Sequence, residues 1–364
     1  MRIVLSGGGT GGHINPAISI AQYFKNQDEN TEILFIGTQH GLEKKLVPQA
    51  GFNIKYIDVC GFKRSLSPKN VIYACKAVCA TMKAKKLLRS YRPDVVIGTG
   101  GYVSGPVVSA AASLKIPTLI HEQNVIPGLT VKLLASKADV TATSFDTTQN
   151  YLPNAKKVVL TGNPVRPDLL STAPQQGRIR YGFDNRPVVL VMSGSLGAKV
   201  INDAVINMIK NMDLSRFNLL VSTGERYYDA FMEAVGDISR MENVSVQPYI
   251  FEANVAMSAA DLIVCRTGAI TVSELCAMGK PSILIPSANV AHNHQEYNAR
   301  YMRDKGAARM ILDKDATAES LYHEIGLLIN DSKTLQEMGV NAHAIGTVDA
   351  CKKIYEEVTA LLNK

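Results

Sequence analysis

The sequence predicts an α/β protein with two Rossmann-like domains whose parallel sheets face a cleft. Apolar runs of strand length alternate with helical patterns along most of the chain, and continuous Val, Ile and Leu runs are typical of parallel strands covered on both faces. Each half also begins with a strand, a glycine-rich loop and a helix. With 364 residues, 46% of them hydrophobic, the chain can bury two cores.

The candidate strands form two sets. In the first half they are residues 2–5, 33–36, 54–59, 95–98, 118–120, 140–143 and 158–160. In the second half they are residues 188–192, 218–221, 244–246, 262–264, 282–285 and 309–312. The helical patterns between them imply right-handed crossovers, and the helices that follow the two glycine loops are predicted to begin at Pro16 and Val200.

Two prolines, Pro164 and Pro167, interrupt regular structure between the halves. We therefore predict a first domain over residues 1–162 and a second over residues 163–346. A last helix, from about residue 348 to 362, is compatible with packing on either domain. On the first domain it would add residues 347–364.

Positive charge is concentrated in one segment of a chain whose net charge is +7. The basic residues there, with no acid among them, are Lys63, Arg64, Lys69, Lys76, Lys83, Lys85, Lys86, Arg89 and Arg92. The chain has no Trp, and few aromatic residues accompany these charges, which disfavours nucleic acid as a partner. Segment 63–92 is predicted to contact an anionic membrane surface, with an ordinary solvated helix as the alternative.

No apolar run in the sequence approaches the length that spans a bilayer. The N-terminus enters a strand-like run at once, so we expect no secretion signal. The six cysteines form no C-x-x-C pair and are typical of buried residues in a reducing cytosol. These features predict a peripheral protein on the cytoplasmic side of the membrane.

Gly7, Gly9 and Gly12 satisfy the G-x-G-x-x-G pattern between a strand and a helix. An NAD site also needs an acid at the end of the second strand, where residues 35–39 contain none, so NAD is disfavoured. Similar loops occur at residues 193–197 and 265–269. Such loops and the helix N-termini behind them favour an anion such as a diphosphate. A tight turn without a ligand is the alternative.

Glu274 lies early in the helix that follows the third loop. A carboxylate at this position can accept hydrogen bonds from both hydroxyls of a ribose. Its alternative role is only to complement the helix dipole.

The first glycine loop closely resembles the N-terminal signature of the MurG family, the N-acetylglucosaminyltransferases of peptidoglycan synthesis. The similar stretches along the chain are residues 7–17, 98–106, His121-Glu122-Gln123-Asn124, 162–166, 194–198, 265–274 and Gln295-x-x-Asn298. One departure is Leu196, where many relatives have Gln, so a polar contact near the donor is in doubt.

The resemblance implies a GT-B fold and an inverting transfer without a metal or other cofactor. N-acetylglucosamine would move from UDP-GlcNAc to the 4-hydroxyl of the MurNAc sugar of undecaprenyl-pyrophosphate-linked lipid I, giving lipid II. The implied partners are these two substrates, the membrane surface and other cell-wall synthesis proteins.

The resemblance also implies roles for individual residues. Arg166 would lie against the uracil, the backbone at Ile250 would contact the edge of the base, and Glu274 would hold the ribose. The full donor set is Thr10, Gly11, Gly12, Asn124, Arg166, Ser195, Ile250, Ala269, Ile270, Thr271, Val272, Ser273, Glu274, Gln295 and Asn298. The acceptor set is Gly9, Thr10, His13, Tyr102 and Ser104.

His13 is the leading candidate for the general base that removes the proton of the acceptor hydroxyl. The positive end of the helix dipole disfavours imidazolium and so keeps a neutral ring available. Glu122 is the substitute base, and Asn124 can orient a hydroxyl. The alternative is that His13 only caps or positions the glycine loop.

Two patterns resemble metal sites. Asp313-Lys314-Asp315 matches the D-x-D pattern, but Asp315 is better explained as a helix N-cap. His292 and His294 lack an evident third ligand. The sequence therefore predicts no metal.

Three alternative functions remain open on the sequence. A UDP-sugar epimerase can share this architecture without needing a lipid acceptor. A glycolipid synthase would use a diacylglycerol acceptor. A non-catalytic scaffold of wall synthesis would not need His13.

Overall fold

The computed structural model describes residues 1–59, 69–194 and 197–363. The chain divides into two compact units, Met1–Val165 with Val348–Lys364, and Arg166–Thr347. The division after Val165 lies three residues beyond the boundary drawn from the sequence. Asn163 is buried and donates a hydrogen bond to the Gln123 carbonyl, which holds it in the first unit.

The strands of the first unit, numbered along the chain, are β1 (Arg2–Gly7), β2 (Glu32–Gly37), β3 (Asn53–Tyr56), β4 (Val95–Gly100), β5 (Thr118–Glu122), β6 (Val140–Thr143) and β7 (Val158–Leu160). Within the described residues they form one parallel sheet in the order β3-β2-β1-β4-β5-β6-β7. Successive side chains of β1 enter opposite cores: Ile3 and Leu5 pack on one face and Val4 on the other. Helices therefore cover both faces, as the apolar runs predict.

The helices before the second unit are α1 (Gly11–Gln27), α2 (Glu43–Gln49), α3 (Lys69–Tyr91), α4 (Ser104–Ser113) and α5 (Leu129–Leu134). The prediction that the first helix begins at Pro16 is wrong, because α1 begins five residues earlier, inside the glycine loop. Pro16 lacks the N–H that would reach the Gly12 carbonyl, but the helix tolerates the loss of this single bond. His13 consequently lies in the first turn of α1.

The strands of the second unit are β8 (Val188–Met192), β9 (Asn218–Ser222), β10 (Val244–Gln247), β11 (Leu262–Cys265), β12 (Ser282–Leu284) and β13 (Ala308–Met310). In the part of this unit that the structure describes, they form a parallel sheet in the order β10-β9-β8-β11-β12-β13. The α/β fold class predicted from the sequence is confirmed.

The remaining α-helices are α6 (Pro174–Tyr181), α7 (Lys199–Asn211), α8 (Tyr228–Val235), α9 (Ala253–Ala259), α10 (Ala269–Met278), α11 (His294–Asp304), α12 (Ala318–Ile329), α13 (Ser332–Ala344) and α14 (Ala350–Leu362). Short 3-10 helices occur at Asp146–Tyr151, Pro167–Leu170, Glu225–Tyr227, Ala291–Asn293 and Asp313–Asp315. Over the described ranges, no helix combines the length and apolar character that crossing a membrane requires.

The C-terminal helix α14 packs on the first unit, a question that the sequence leaves open. Ile354 and Val358 are fully buried in the core beneath α1. The ring of Tyr355 lies 4.9 Å from that of Phe24 and 5.9 Å from that of Tyr23. Burial of this apolar face fixes the last helix to the domain that begins the chain.

Strand order reverses beside the first strand of each sheet, between β1 and β4 in the first unit and between β8 and β11 in the second. Loops that leave the carboxyl ends of such neighbouring strands splay apart and leave a crevice for ligands. The three glycine-containing loops all follow these strands. Each unit therefore has a place for a ligand at its switch point.

Candidate functional site

In the first unit, His13 is held where the loops after β1 and β4 meet. Thr99 donates its hydroxyl to the His13 carbonyl oxygen at 2.7 Å. Gly100 lies against the imidazole, because a Cβ built there would be 2.7 Å from His13 Nδ1, and its φ of +104° is unfavourable for other residues. Gly101 is equally close-packed, since its Cβ would meet the Gly8 carbonyl oxygen at 2.2 Å. The Gly100 backbone thus packs against the ring, and the Gly101 backbone packs against the glycine loop.

The imidazole also contacts the buried side-chain amide of Gln123. His13 Nδ1 lies 2.9 Å from Gln123 Oε1, and Gln123 Nε2 donates to the Thr99 carbonyl at 2.8 Å. The same Nε2 lies 2.9 Å from Nδ1 of His121, a fully buried residue. Burial lowers the pKa of His121 to about 4, which keeps that ring neutral.

Glu43 anchors the glycine loop from beneath, a role that sequence reasoning missed. This fully buried carboxylate accepts hydrogen bonds from the Thr38 N–H and hydroxyl at 2.9 and 2.6 Å. Its other oxygen accepts from the Gly9 N–H at 3.1 Å. Burial opposes ionisation, but the hydrogen bonds from Thr38 and Gly9 together outweigh it and hold the pKa of Glu43 below its usual value. The Gly9 N–H is therefore already used within the protein.

We expect Glu43→Gln to lower the free energy of unfolding by about 1–3 kcal/mol at pH 7, because a buried amide NH₂ would face hydrogen-bond donors. A depressed pKa stabilises the folded state above the unfolded-state pKa, and this contribution disappears as pH falls through the folded-state value. The difference between variant and wild type should therefore shrink below about pH 4.5. Urea unfolding at several pH values measures it. A difference that grows on acidification would contradict this role.

Glu122 and Asn124 organise the loop after β5. The buried Glu122 carboxylate accepts from the Asn124 N–H at 2.9 Å and from the Gly128 N–H at 2.9 Å. It also accepts from Asn124 Nδ2 at 3.2 Å, which orients the Asn124 side chain. Backbone donors thus occupy both Glu122 oxygens, which favours a positioning role over its predicted role as substitute base.

The predicted acceptor residues fall into two groups. Tyr102 packs over Gly9 and, with His40, Lys44 and Lys45, lines a cavity of about 500 Å³. Ser104 is buried, and its hydroxyl donates to the Gly101 carbonyl at 3.0 Å, so it stabilises the start of α4. The cavity next to the glycine loop therefore has a cationic and aromatic lining.

In the second unit, the loops after β8 and β11 occupy the corresponding switch point. Gly194 and Gly197 flank the first of these loops, but Ser195 and Leu196 lie outside the described residues. The donor contact assigned to Ser195 and the effect of Leu196 stay predictions. The second loop leads directly into α10, whose first residues are Ala269, Ile270, Thr271, Val272 and Ser273. The N-terminus of this ten-residue helix favours an anion there.

Arg166 forms an ion pair with Glu274 of α10. Arg166 Nε donates to Glu274 Oε1 at 3.2 Å. Burial raises the pKa of Glu274, and the Arg166 charge and hydrogen bond oppose that rise. Two residues 108 positions apart, assigned separately to uracil and ribose, are thus in contact.

Three further residues predicted to bind the sugar donor differ in their burial and in their hydrogen bonds. The Ile250 side chain is buried, so the predicted contact with the base would have to use its backbone. Gln295 Oε1 accepts from the Ser287 N–H at 2.9 Å, while its carbonyl accepts from the Thr267 hydroxyl at 2.7 Å. Asn298 is fully buried and donates to the Thr267 carbonyl at 3.1 Å. Asn298 thus supports the loop after β11 from behind.

One candidate metal ligand, Asp313, is already paired within the protein. Asp313 forms an ion pair with Arg266. The prediction that Asp315 caps the next helix is wrong: Thr317 is the N-cap of α12, and its hydroxyl accepts from the Ser320 N–H in a capping box. Among the residues described, no three His, Cys, Asp or Glu side chains are grouped as metal ligands.

Sequence comparisons match both halves of the chain. The model of the glycosyltransferase family 28 N-terminal domain matches residues 3–143, and that of the C-terminal domain matches residues 188–354. A relative from Acetivibrio thermocellus is 46% identical over 365 residues, covering 100% of this chain and 98% of its own. One from Caldanaerobacter subterraneus is 45% identical, covering 99% and 100%. Both are named UDP-N-acetylglucosamine--N-acetylmuramyl-(pentapeptide) pyrophosphoryl-undecaprenol N-acetylglucosamine transferase.

Solved structures are also similar. The crystal structure of Acinetobacter baumannii MurG has a TM-score of 0.81 at 28% identity, with 99% of each chain covered. The UDP-GlcNAc 2-epimerase from Neisseria meningitidis, bound to UDP-GlcNAc, has a TM-score of 0.68 at 15% identity, covering 99% of this chain and 100% of its own. At that identity the second likeness shows the fold alone.

Proposed function

The chain belongs to glycosyltransferase family 28, which confirms the GT-B fold class and the MurG-family resemblance. From this membership we infer that the protein is a UDP-GlcNAc-dependent glycosyltransferase. It transfers N-acetylglucosamine to the MurNAc sugar of undecaprenyl-pyrophosphate-linked lipid I and forms lipid II. The observation that carries this is 46% identity over the whole chain to a transferase of that name.

The second unit holds the nucleotide. Glu274 accepts the ribose hydroxyls, and Arg166 keeps its Nε on Glu274 while its planar guanidinium stacks on the uracil. The N-terminus of α10 contacts the diphosphate and stabilises the negative charge that develops on UDP as it leaves. This arrangement supplies the required positive potential from the protein backbone.

The first unit activates the acceptor. Nε2 of His13 takes the proton of the MurNAc 4-hydroxyl while the oxygen of that hydroxyl attacks the anomeric carbon of the donor. The bond from that carbon to the diphosphate oxygen breaks, and UDP leaves with the electron pair. Attack from the face opposite the leaving group inverts the anomeric configuration. Asn124, held by Glu122, orients the hydroxyl.

The cavity beside Gly9 suits the anionic acceptor. Its lining includes Lys44, Lys45 and Tyr102. The acceptor carries a diphosphate and a peptide with carboxylates, which these cations attract, while the aromatic ring offers a surface for a sugar. The cavity supports a lipid-linked acceptor over a neutral diacylglycerol.

Turnover of radiolabelled UDP-GlcNAc with a lipid I analogue tests the function. We expect formation of the lipid II analogue and equal rates with and without a chelator. Product from UDP-GlcNAc alone, as an epimer or as free sugar and UDP, would support the epimerase alternative. Preference for diacylglycerol in direct competition would support a glycolipid synthase.

We further propose that the enzyme is peripheral, on the cytoplasmic face of the membrane, and binds through α3 and α5. Lys63 and Arg64 of the predicted basic segment lie outside the described residues. On α3, Val78 and Met82 are 61% and 58% exposed, with Lys83 also at the surface. On α5, in the same helical layer, Leu129 and Leu133 are 56% and 63% exposed. Exposed apolar side chains beside basic ones are typical of a surface that inserts among anionic headgroups.

The double variant Val78→Glu, Met82→Glu should lose most of its binding to vesicles rich in anionic lipid, because carboxylates are repelled there and cannot insert. Cosedimentation with vesicles measures this. The control is Leu327→Glu, Val340→Glu, which changes comparably exposed residues of the second unit. Equal loss of binding in both double variants would remove α3 as the membrane contact.

A further inference from the structure

A chain of buried side chains leads from the Gly162 carbonyl to His13. We propose that Gln123 and His121 are positioning residues that fix the proton of neutral His13 on Nδ1, so that Nε2 presents its lone pair to the acceptor hydroxyl. The inference rests on the proposed function, in which His13 is the general base. The distances between heavy atoms determine which group donates and which accepts in each hydrogen bond of this network.

The orientation of the Gln123 amide is fixed at one end by a carbonyl. One end of the amide lies 2.8 Å from the Thr99 carbonyl oxygen and 3.2 Å from the His121 carbonyl oxygen. Carbonyl oxygens only accept hydrogen bonds, so this end must be the NH₂ group. A flipped amide would place its oxygen against two others in a site from which water is excluded. Gln123 Oε1 therefore faces His13.

The tautomer of His121 is fixed independently at the other end. Its Nε2 lies 2.9 Å from the Gly162 carbonyl oxygen, so Nε2 carries the proton. Since burial keeps this ring neutral, its Nδ1 is an acceptor, and it lies 2.9 Å from Gln123 Nε2. His121 thus requires the same amide orientation as the Thr99 carbonyl. The Thr99 and Gly162 carbonyl groups therefore independently support the same orientation of the Gln123 amide.

The orientation of the Gln123 amide determines the tautomer of His13. An amide oxygen 2.9 Å from Nδ1 can only accept, so Nδ1 of the neutral ring carries the hydrogen and Nε2 does not. In water the neutral side chain of histidine prefers the opposite tautomer. The Gly100 backbone packs directly against the imidazole on this side. The protein therefore selects the tautomer that can act as a base through Nε2.

The hydrogen-bond partner of His13 is the neutral amide of Gln123, whereas the partner in a carboxylate–histidine pair is charged. A carboxylate would stabilise the imidazolium that forms after proton transfer. An amide oxygen orients the ring with far less stabilisation of the cation. His13 is thus aligned without being made to retain the proton that it must later release.

Nitrogen NMR on protein labelled with ¹⁵N-histidine tests the assignment directly. The chain has 7 His, and His13→Asn and His121→Asn identify the two resonance sets by their loss. At a pH where both rings are neutral, we expect His13 in the Nδ1–H form and His121 in the Nε2–H form. His13 found mainly as the Nε2–H tautomer would overturn the proposal. This measurement needs no substrate, so it can fail while lipid II synthesis stands, and lipid II synthesis can fail while the tautomer holds.

Kinetics separate positioning from packing. Gln123→Leu, which removes the amide, should lower kcat by about 10²-fold with KM for UDP-GlcNAc within about twofold of wild type, because the base loses its alignment. Gln123→Glu, whose carboxyl should stay protonated because of burial and the facing Thr99 carbonyl, can place its C=O oxygen opposite Nδ1 and its O–H toward that carbonyl, and should retain more of kcat. Gln149→Leu, at an exposed position of the same unit, should match wild type. Equal losses of kcat in the two Gln123 variants would assign a packing role, and wild-type kcat in Gln123→Leu would overturn the proposal.

Discussion

Replacing His13 with alanine is expected to lower kcat of lipid II formation by about 10²–10⁴-fold, the range that a general base contributes. Water would have to take the proton of the acceptor hydroxyl instead. KM for UDP-GlcNAc should change little, because the residues proposed to hold the nucleotide, Glu274 and Arg166, lie in the second unit. Steady-state kinetics with a lipid I analogue, together with UDP binding by calorimetry, separates the two effects.

The matched control for this prediction is His323→Ala, which removes an exposed histidine on α12 and should leave kcat unchanged. A His13→Ala enzyme that retains wild-type kcat would remove His13 as the base and favour the scaffold or loop-capping alternatives. Loss of UDP binding together with kcat would instead indicate damage to the nucleotide site.

The second large effect is expected from Glu274→Ala. In the proposed site the carboxylate accepts charge-assisted hydrogen bonds from the ribose, and the loss of two such bonds at about 1.5 kcal/mol each corresponds to a rise in KM for UDP-GlcNAc of about 10²-fold. Because burial raises the pKa of Glu274, wild-type KM should also begin to rise on acidification at a higher pH than for an ordinary carboxylate. The variant should lack this dependence.

A donor without the ribose 2′-hydroxyl provides a sharper measurement. Wild type should bind it more weakly than UDP-GlcNAc, whereas Glu274→Ala should bind the two about equally, since the lost bonds are the same. Glu233→Gln, on the surface of α8, is the control and should behave like wild type. If the variant still discriminates between the two donors, Glu274 does not hold the ribose.

The central strands were predictable because they are buried in the middle of a parallel sheet, whereas the edge strands β3, β7, β10 and β13 are partly exposed. Val188–Met192 is an unbroken apolar run, and the predicted bounds coincide with β8. Helix starts were less predictable where glycine and proline are involved. Pro16 was predicted to open α1, yet Gly11 does, because a flexible glycine pair can adopt helical dihedrals when tertiary contacts hold it.

Candidate site residues could be proposed from the sequence where they lie in one short motif. His13 and the glycine loop were proposed from adjacent residues, and Glu274 from its place behind a loop, and their roles stay predictions. Glu43 was not, because nothing near it in the sequence indicates that its carboxylate reaches Gly9, which lies 34 positions away. Likewise Gln123 was seen within a motif but had no assigned partner, because His13 is 110 positions away.

The sequence by itself determined the α/β class and the two strand–glycine loop–helix openings, and it supplied the candidate groups for binding a diphosphate and taking a proton. These follow from local rules, namely the period of apolar residues and the freedom of glycine. Only the tertiary structure decided which unit receives α14, which carboxylate supports the glycine loop and which nitrogen of His13 carries the proton. Those outcomes depend on hydrogen bonds and packing between residues far apart in the chain, and a sequence pattern does not record which distant donors and acceptors folding brings to hydrogen-bond distance.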